Sequence, residues 1–137
     1  MKYMIVGGEA VIFYGHVRLT GDVDFFYSRE HTNVQRLFAT LIEFWSGTIP
    51  GVGAVADLAV KGQIIQFGVP PNRIDLINDV DGIDFESAWS DRMIASVRKP
   101  PESVPVLFIG RQHLIQNKRA SGRPKDLEDL RFLEGSS

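Results

Sequence analysis

Asp22 and Asp24 stand two positions apart in the run Asp22-Val23-Asp24-Phe25-Phe26-Tyr27. On an extended chain that spacing puts both side chains on one face, with Cα atoms roughly 6.5 to 7 Å apart. Carboxylates placed this way converge on hard cations such as magnesium. A third carboxylate on a neighbouring strand would complete a site for two ions about 3.5 to 4 Å apart, an arrangement that activates an attacking oxygen and stabilises a leaving pyrophosphate. Asp75, inside the β-prone run Arg73-Ile74-Asp75-Leu76-Ile77, is the candidate. It has strand-like neighbours on both sides, whereas the other five carboxylates between Arg73 and Asp91 read as a solvated loop and helix face. Gly7-Gly8 follows the apolar run Tyr3 to Val6. Glycines between a strand and a helix let the backbone approach a ligand closely, and the free N–H groups of the helix start favour an anion such as phosphate.

Taken singly, each feature is commonplace. An Asp-X-Asp strand usually faces water, a glycine pair is usually a turn, and this pair lacks the G-x-G-x-x-G spacing of dinucleotide sites. The three together, in this order, favour a metal and phosphate site. His16, His31 and His113 are scattered without paired metal spacing and read as structural or surface residues.

The elements that must hold these residues follow from periodicity. Tyr3 to Val6 and Asp22 to Tyr27 read as strands, with Val23 and Phe25 turned to the core, and a short helix lies between them through Ala10, Val11, Phe13 and Tyr14. Val34, Leu37, Phe38, Leu41, Ile42 and Trp45 recur at three and four, which predicts a helix over 32–45 with Thr32 as its N-cap. A short helix is expected over 55–60. Gln63 to Phe67 and Arg73 to Ile77 read as an antiparallel pair broken by Gly68 and Pro70-Pro71. Asp84 caps a short helix through Trp89, and strands over 93–97 and 104–109 flank Pro100-Pro101. Two helices close the chain: one over 111–120, and one opened by Pro124 and running through Leu133, with Leu127, Leu130 and Leu133 on one face. This order predicts an α+β fold, a small mixed or antiparallel sheet with helices packed on it and two C-terminal helices, as one domain over 1–137.

Composition narrows the chemistry. The 137 residues are enough for one core. With no cysteine there is no disulfide framework, thiolate metal cluster or thiol nucleophile, and the compartment is most simply the cytoplasm. The longest apolar runs fall far below the ~20 residues of a membrane span. Fifteen basic against seventeen acidic side chains give a net charge of -2, which argues against a protein that coats nucleic acid. The charge is uneven: Arg111, Lys118, Arg119, Arg123 and Lys125 form a basic stretch without an acid, which reads either as a solvated outer face or, with a metal-bound nucleotide needing cations nearby, as a wall facing triphosphate or RNA backbone.

Gly7-Gly8 after a hydrophobic strand, thirteen intervening residues, Asp22-Val23-Asp24 and then Ile74-Asp75-Leu76 resemble the nucleotidyltransferase superfamily with the polymerase-beta type core. Ile5 to Val11, Arg18 to Asp24 and the closing Gly122-Arg123-Pro124-Lys125-Asp126-Leu127-Glu128-Asp129-Leu130 are similar to small bacterial proteins of the abortive-infection toxin type. Pro70 to Ile77 followed by Gly82-Ile83-Asp84-Phe85 is similar to one uncharacterised branch of them. The resemblance implies a magnesium-dependent transfer of a nucleoside monophosphate from a nucleoside triphosphate to a hydroxyl of RNA, tRNA or protein. It implies that Asp22, Asp24 and Asp75 hold the metals and act in catalysis, and that Gly7, Gly8, Arg18, Thr20 and Lys118 bind the nucleotide. Asp126 would fix helices. A homo-oligomer or an antitoxin partner is also implied. Glycine at position 8, where many active members carry serine, and a start almost on the first strand favour an alternative: a catalytically silent nucleotide-binding or interaction module of a toxin–antitoxin system.

Overall fold

Short runs that alternate large apolar side chains with polar ones build the middle of the molecule. In the computed structural model, residues 1–16, 21–69, 72–99 and 102–135 are described, the side chains of 97–99 and 102–104 excepted. Arg18, Thr20 and the pairs Pro70-Pro71 and Pro100-Pro101 lie outside them. The strands are β1 (Tyr3–Val6), β2 (Asp22–Tyr27), β3 (Ile64–Phe67), β4 (Arg73–Ile77), β5 (Met93–Lys99) and β6 (Glu102–Phe108). The helices are α1 (Gly7–Phe13), α2 (His31–Phe44), α3 (Phe85–Ser90), α4 (Arg111–Ser121) and α5 (Pro124–Gly135). The short helix expected after Val55 is a 3₁₀ turn, Val55–Ala59. The six strands form one mixed sheet in the order β3-β4-β2-β1-β6-β5. β2 runs parallel to β4 and β1 parallel to β6, while the other neighbours are antiparallel. The fold is therefore α+β with a mixed sheet and two C-terminal helices, as expected. No helix among the described residues is long and apolar enough to cross a membrane.

Alternation divides the core between the two faces of the sheet. Met4, Val6 and Phe26 pack with Ala10 and Val11 of α1, Ala88 of α3, Leu114 and Ile115 of α4 and Leu133 of α5. Tyr27, Ile65 and Leu76 pack on the other face with Val34 and Leu37 of α2 and Leu58 of the 3₁₀ turn. Tyr27 donates its hydroxyl to the Leu58 carbonyl at 2.8 Å, and Asn78 Nδ2 donates to the Tyr27 hydroxyl at 3.0 Å. Asp22 and Asp24 share the parity of Phe26, so the aspartates belong to the face covered by α1, α4 and α5. A one-residue slip of β2 would exchange the faces of Phe26 and Tyr27. Full burial of such side chains stabilises by about 1.5–3 kcal/mol each, so the apolar pattern fixes the side on which the carboxylates gather.

Two expectations are corrected. Thr32 is not the N-cap of α2: Glu30 holds that position, without a side-chain cap, and the helix begins at His31. Tertiary pairing sets this start. Lys2 N donates to Asn33 Oδ1 at 2.6 Å, and Asn33 Nδ2 donates to the carbonyls of Lys2 at 3.1 Å and Ser28 at 2.8 Å. Leu127 does not share the buried face of Leu133; it is 47% exposed. Asp126 and Asp129 turn inward from α5 instead. Asp84 does cap α3, accepting from Ser87 N at 3.1 Å.

Candidate active site

The parallel register of β2 and β4 sets Asp24 opposite Asp75 and Asp22 opposite Arg73, all on one face. Asp22, Asp24 and Asp75 each offer an oxygen within 4.8 Å of the others. Asp75 is buried and the other two are half-buried. Three carboxylates this close cannot all ionise freely. Burial, then the charges of Asp22 and Asp75 and hydrogen bonds to them, push Asp24 up to about 7. In the metal-free triad Asp24 therefore keeps its proton to near neutrality.

Arg73 partly offsets the negative charge. Its Nη2 donates to Asp22 Oδ2 at 2.7 Å and to Asp75 Oδ2 at 3.2 Å, and its Nε lies 3.0 Å from Asp75 Oδ1. The hydrogen bond to Asp22, ahead of the field of Asp75, holds the guanidinium's proton above its ordinary range even against some desolvation.

Gly7 backs directly onto Asp24. Strand β1 passes directly into α1 there, with Val6 as an N-cap that offers no side-chain hydrogen bond. Gly7 has φ of +68°, and a Cβ on it would overlap Asp24 Oδ2. Any other residue would be strained in backbone and would push Asp24 out of the triad.

Two cavities meet at these residues. One of about 450 Å³ is lined by Gly7, Gly8, Asp22 and Asp24 together with Lys118, Arg123, Lys125 and Asp126. The other, about 460 Å³, shares Gly7, Asp22, Asp24, Lys118 and Arg123 and extends over Arg73, Asp75, Asp79 and Asp81. The first therefore brings cations to the same cavity as the glycines. The second carries further acids beside Asp75.

The cationic wall is built by the α4–α5 turn. Gly122 takes the left-handed conformation, φ +61°, and caps α4 through a bond from its N–H to the Lys118 carbonyl at 3.1 Å. Pro124 then opens α5, so the acids of its first turns face the last turn of α4. Lys118 Nζ sits 3.1 Å from Asp126 Oδ1 and 3.2 Å from Asp129 Oδ2, all three side chains at most 5% exposed. Asp126 also accepts from Ser121 Oγ at 2.8 Å, from Arg123 Nε at 2.8 Å and from Arg123 N at 3.3 Å. Burial alone would raise the Asp126 carboxyl, but the hydrogen bonds from Arg123, Ser121 and Lys118 outweigh it and lower it to about 2. His16 approaches Asp129 at 3.7 Å and stacks on Phe132, a structural setting like the one expected.

Of the residues singled out from the sequence, the structure brings together Gly7, Gly8, Asp22, Asp24, Asp75 and Lys118. Arg18 and Thr20 lie outside the described residues. The basic stretch divides: Lys118, Arg123 and Lys125 reach the cleft, while Arg111 bonds the Leu133 carbonyl and Arg119 pairs with Glu134 elsewhere. Sequence reasoning missed three partners. Arg73 was visible only as a strand residue, although its position two before Asp75 already put it on the same face. Asp129 was read as part of a helix, and Asp126 as a helix fixer without its cation. The available signal was the Gly122-Arg123-Pro124 turn, which folds acids back onto the lysine four residues before it.

A family model described as "Nucleotidyltransferase of unknown function (DUF6036)" matches residues 1–133. No curated protein matches the chain.

Proposed function

We propose that this chain, which belongs to that family of nucleotidyltransferases, moves a nucleoside monophosphate from a nucleoside triphosphate onto an acceptor hydroxyl and releases pyrophosphate. The observation that carries this reading is the carboxylate triad, one oxygen of each within 4.8 Å, beside a cavity that Lys118, Arg123 and Lys125 also line. The donor set fits magnesium, since all three ligands are hard oxygens and Gly7 leaves the room that a Cβ would fill. Bound there by Asp22, Asp24 and Asp75, magnesium would supply the charge that activates an attacking oxygen and steadies the leaving pyrophosphate.

The chain's own residues do the rest. Asp22 and Asp24 would hold the cation that the triphosphate end of the nucleotide requires beside them, and Asp75, facing the second cavity, takes the proton of the acceptor hydroxyl. Gly7 and Gly8 admit phosphate oxygens close to the backbone. Arg18 and Thr20, just ahead of the aspartates, add phosphate contacts in this reading. Lys118 and Arg123 place positive charge beside the negative charge that develops on the leaving group, and the buried pairs with Asp126 and Asp129 fix Lys118 so that it needs little reorganisation. Positioning of this kind contributes most of the rate in phosphoryl-type transfer. The acceptor is a hydroxyl of RNA, tRNA or protein, and the setting is a toxin-like role in the cytoplasm.

The test is transfer of α-labelled nucleotide to RNA and to protein in magnesium, by the intact chain and by Asp22→Ala/Asp24→Ala. Transfer should be lost in the double variant while its melting curve stays cooperative. Label transfer that survives the double change would sink the assignment.

A further inference from the structure

We infer that Arg73 is an exchangeable cation of the carboxylate site: in the metal-free protein it lies between Asp22 and Asp75, where a divalent ion must draw its ligands, and it leaves them when the ion binds. The inference rests on the reading of the triad as a metal site.

Geometry carries the argument. Register makes the contact unavoidable, because Arg73 stands opposite Asp22 and two residues before Asp75 on the same face of neighbouring strands. The guanidinium engages Asp22 Oδ2 and both oxygens of Asp75, at 2.7 to 3.2 Å. Both oxygens of Asp75 are engaged, so an ion drawing on Asp75 competes with the guanidinium for an oxygen it already contacts. A guanidinium does not give up its proton, so it cannot be neutralised in place and must move. It has room to do so: its side chain is 30% exposed, against 5% for Lys118, and it lines the second cavity.

Two consequences follow. The metal-free triad is held together by an internal counter-charge, so its affinity for metal is lower than that of three bare carboxylates. Once displaced, Arg73 remains beside the cleft with a planar fork of donors suited to phosphate oxygens. Metal and triphosphate then reinforce each other's binding through the same side chain, a coupling that is reciprocal by linkage.

Calorimetric titration with Mn²⁺ alone compares the wild-type chain with Arg73→Met and Arg73→Lys. Arg73→Met should bind Mn²⁺ about five- to tenfold more tightly, the scale of removing one partly exposed charge-assisted contact. Arg73→Lys, which keeps the charge, should stay within about twofold of wild type on the same scale. Unchanged or weaker binding by Arg73→Met overturns the inference while leaving the metal site intact. Absence of Mn²⁺ binding in every form overturns the metal reading, and this inference with it. Should Arg73→Met fold poorly, the wild-type protein still decides: in arginine ¹⁵Nε spectra titrated with Mg²⁺, the resonance missing from Arg73→Lys should move with the same saturation as metal binding. A resonance that stays fixed while metal binds overturns the inference.

Discussion

Asp24→Asn should stabilise the metal-free protein at neutral and alkaline pH while destroying the metal site. Asp24 keeps its proton in the folded chain to about pH 7, raised by burial first and then by Asp22 and Asp75, from an ordinary value of 3.8. The folded state therefore binds a proton that the unfolded chain releases near pH 4. By linkage, this group's contribution to stability is fully present below about pH 4, falls as pH rises to about 7, and is flat above. A shift of roughly three units corresponds to about 4 kcal/mol. Because Asp24 is half-exposed, solvent screening reduces that to about 2 kcal/mol. An asparagine has the shape of the protonated acid and can donate to the same neighbours. For a chain of this size about 2 kcal/mol is roughly 6 to 10 °C in melting temperature. Differential scanning calorimetry in EDTA at pH 8 should show that gain, and at pH 5 about a third of it should remain, because only about one of the three units has then been crossed. A variant no more stable than wild type at pH 8, or one with the same gain at both pH values, would refute the reasoning.

The other predictions concern the walls of the site. Mn²⁺ affinity of the wild-type chain should fall about tenfold per pH unit below 7, since the ion must expel the Asp24 proton, and calorimetry in buffers of different ionisation enthalpy should register up to one proton released. Gly7→Ala should cost about 1–3 kcal/mol in urea unfolding and weaken Mn²⁺ binding at the same time, because the positive φ and the overlap with Asp24 Oδ2 act on backbone and ligand together. Lys118→Met should cost about 3–5 kcal/mol by leaving Asp126 and Asp129 buried without their cation. Adding Asp126→Asn and Asp129→Asn should recover at least half of that in the same urea assay.

The carboxylate face was legible because aspartates interrupt strands whose other residues are strongly apolar. Phe26 and Tyr27 leave no choice of side for β2, and Ile74 with Leu76 does the same for the parity of Asp75. That these faces coincide needed only the two strands to be neighbours in one sheet. The mixed sheet and the closing helix pair were legible for a similar reason, through short β-prone runs and a Gly-X-Pro turn. What could not be read depends on distances set by the assembled fold. Arg73 meets Asp22 through parallel pairing between segments 51 residues apart. The start of α2 is decided by Asn33 binding Lys2, 31 residues away, which outranks the local capping preference of Thr32. Leu127 yields the inner face of α5 because Asp126 must reach Lys118, and a buried charge left unpaired costs more than an exposed leucine.

The same comparison explains how one cleft carries two kinds of cation. Lys118 is enclosed with both of its partners, so removing it strands charge in the interior and the group is structural as well as electrostatic. Arg73 and Asp22 remain about a quarter to a third accessible, at 30% and 26%, where an ion pair contributes little and exchanges with water or another charge at low cost. The net charge of -2 hides this division. Within the cleft Lys118 is held by buried pairs, whereas Arg73 and Arg123 make their ion pairs from accessible positions. Burial, more than the number of charges, therefore separates the one fixed cation, Lys118, from the cations of the cleft that can change partners.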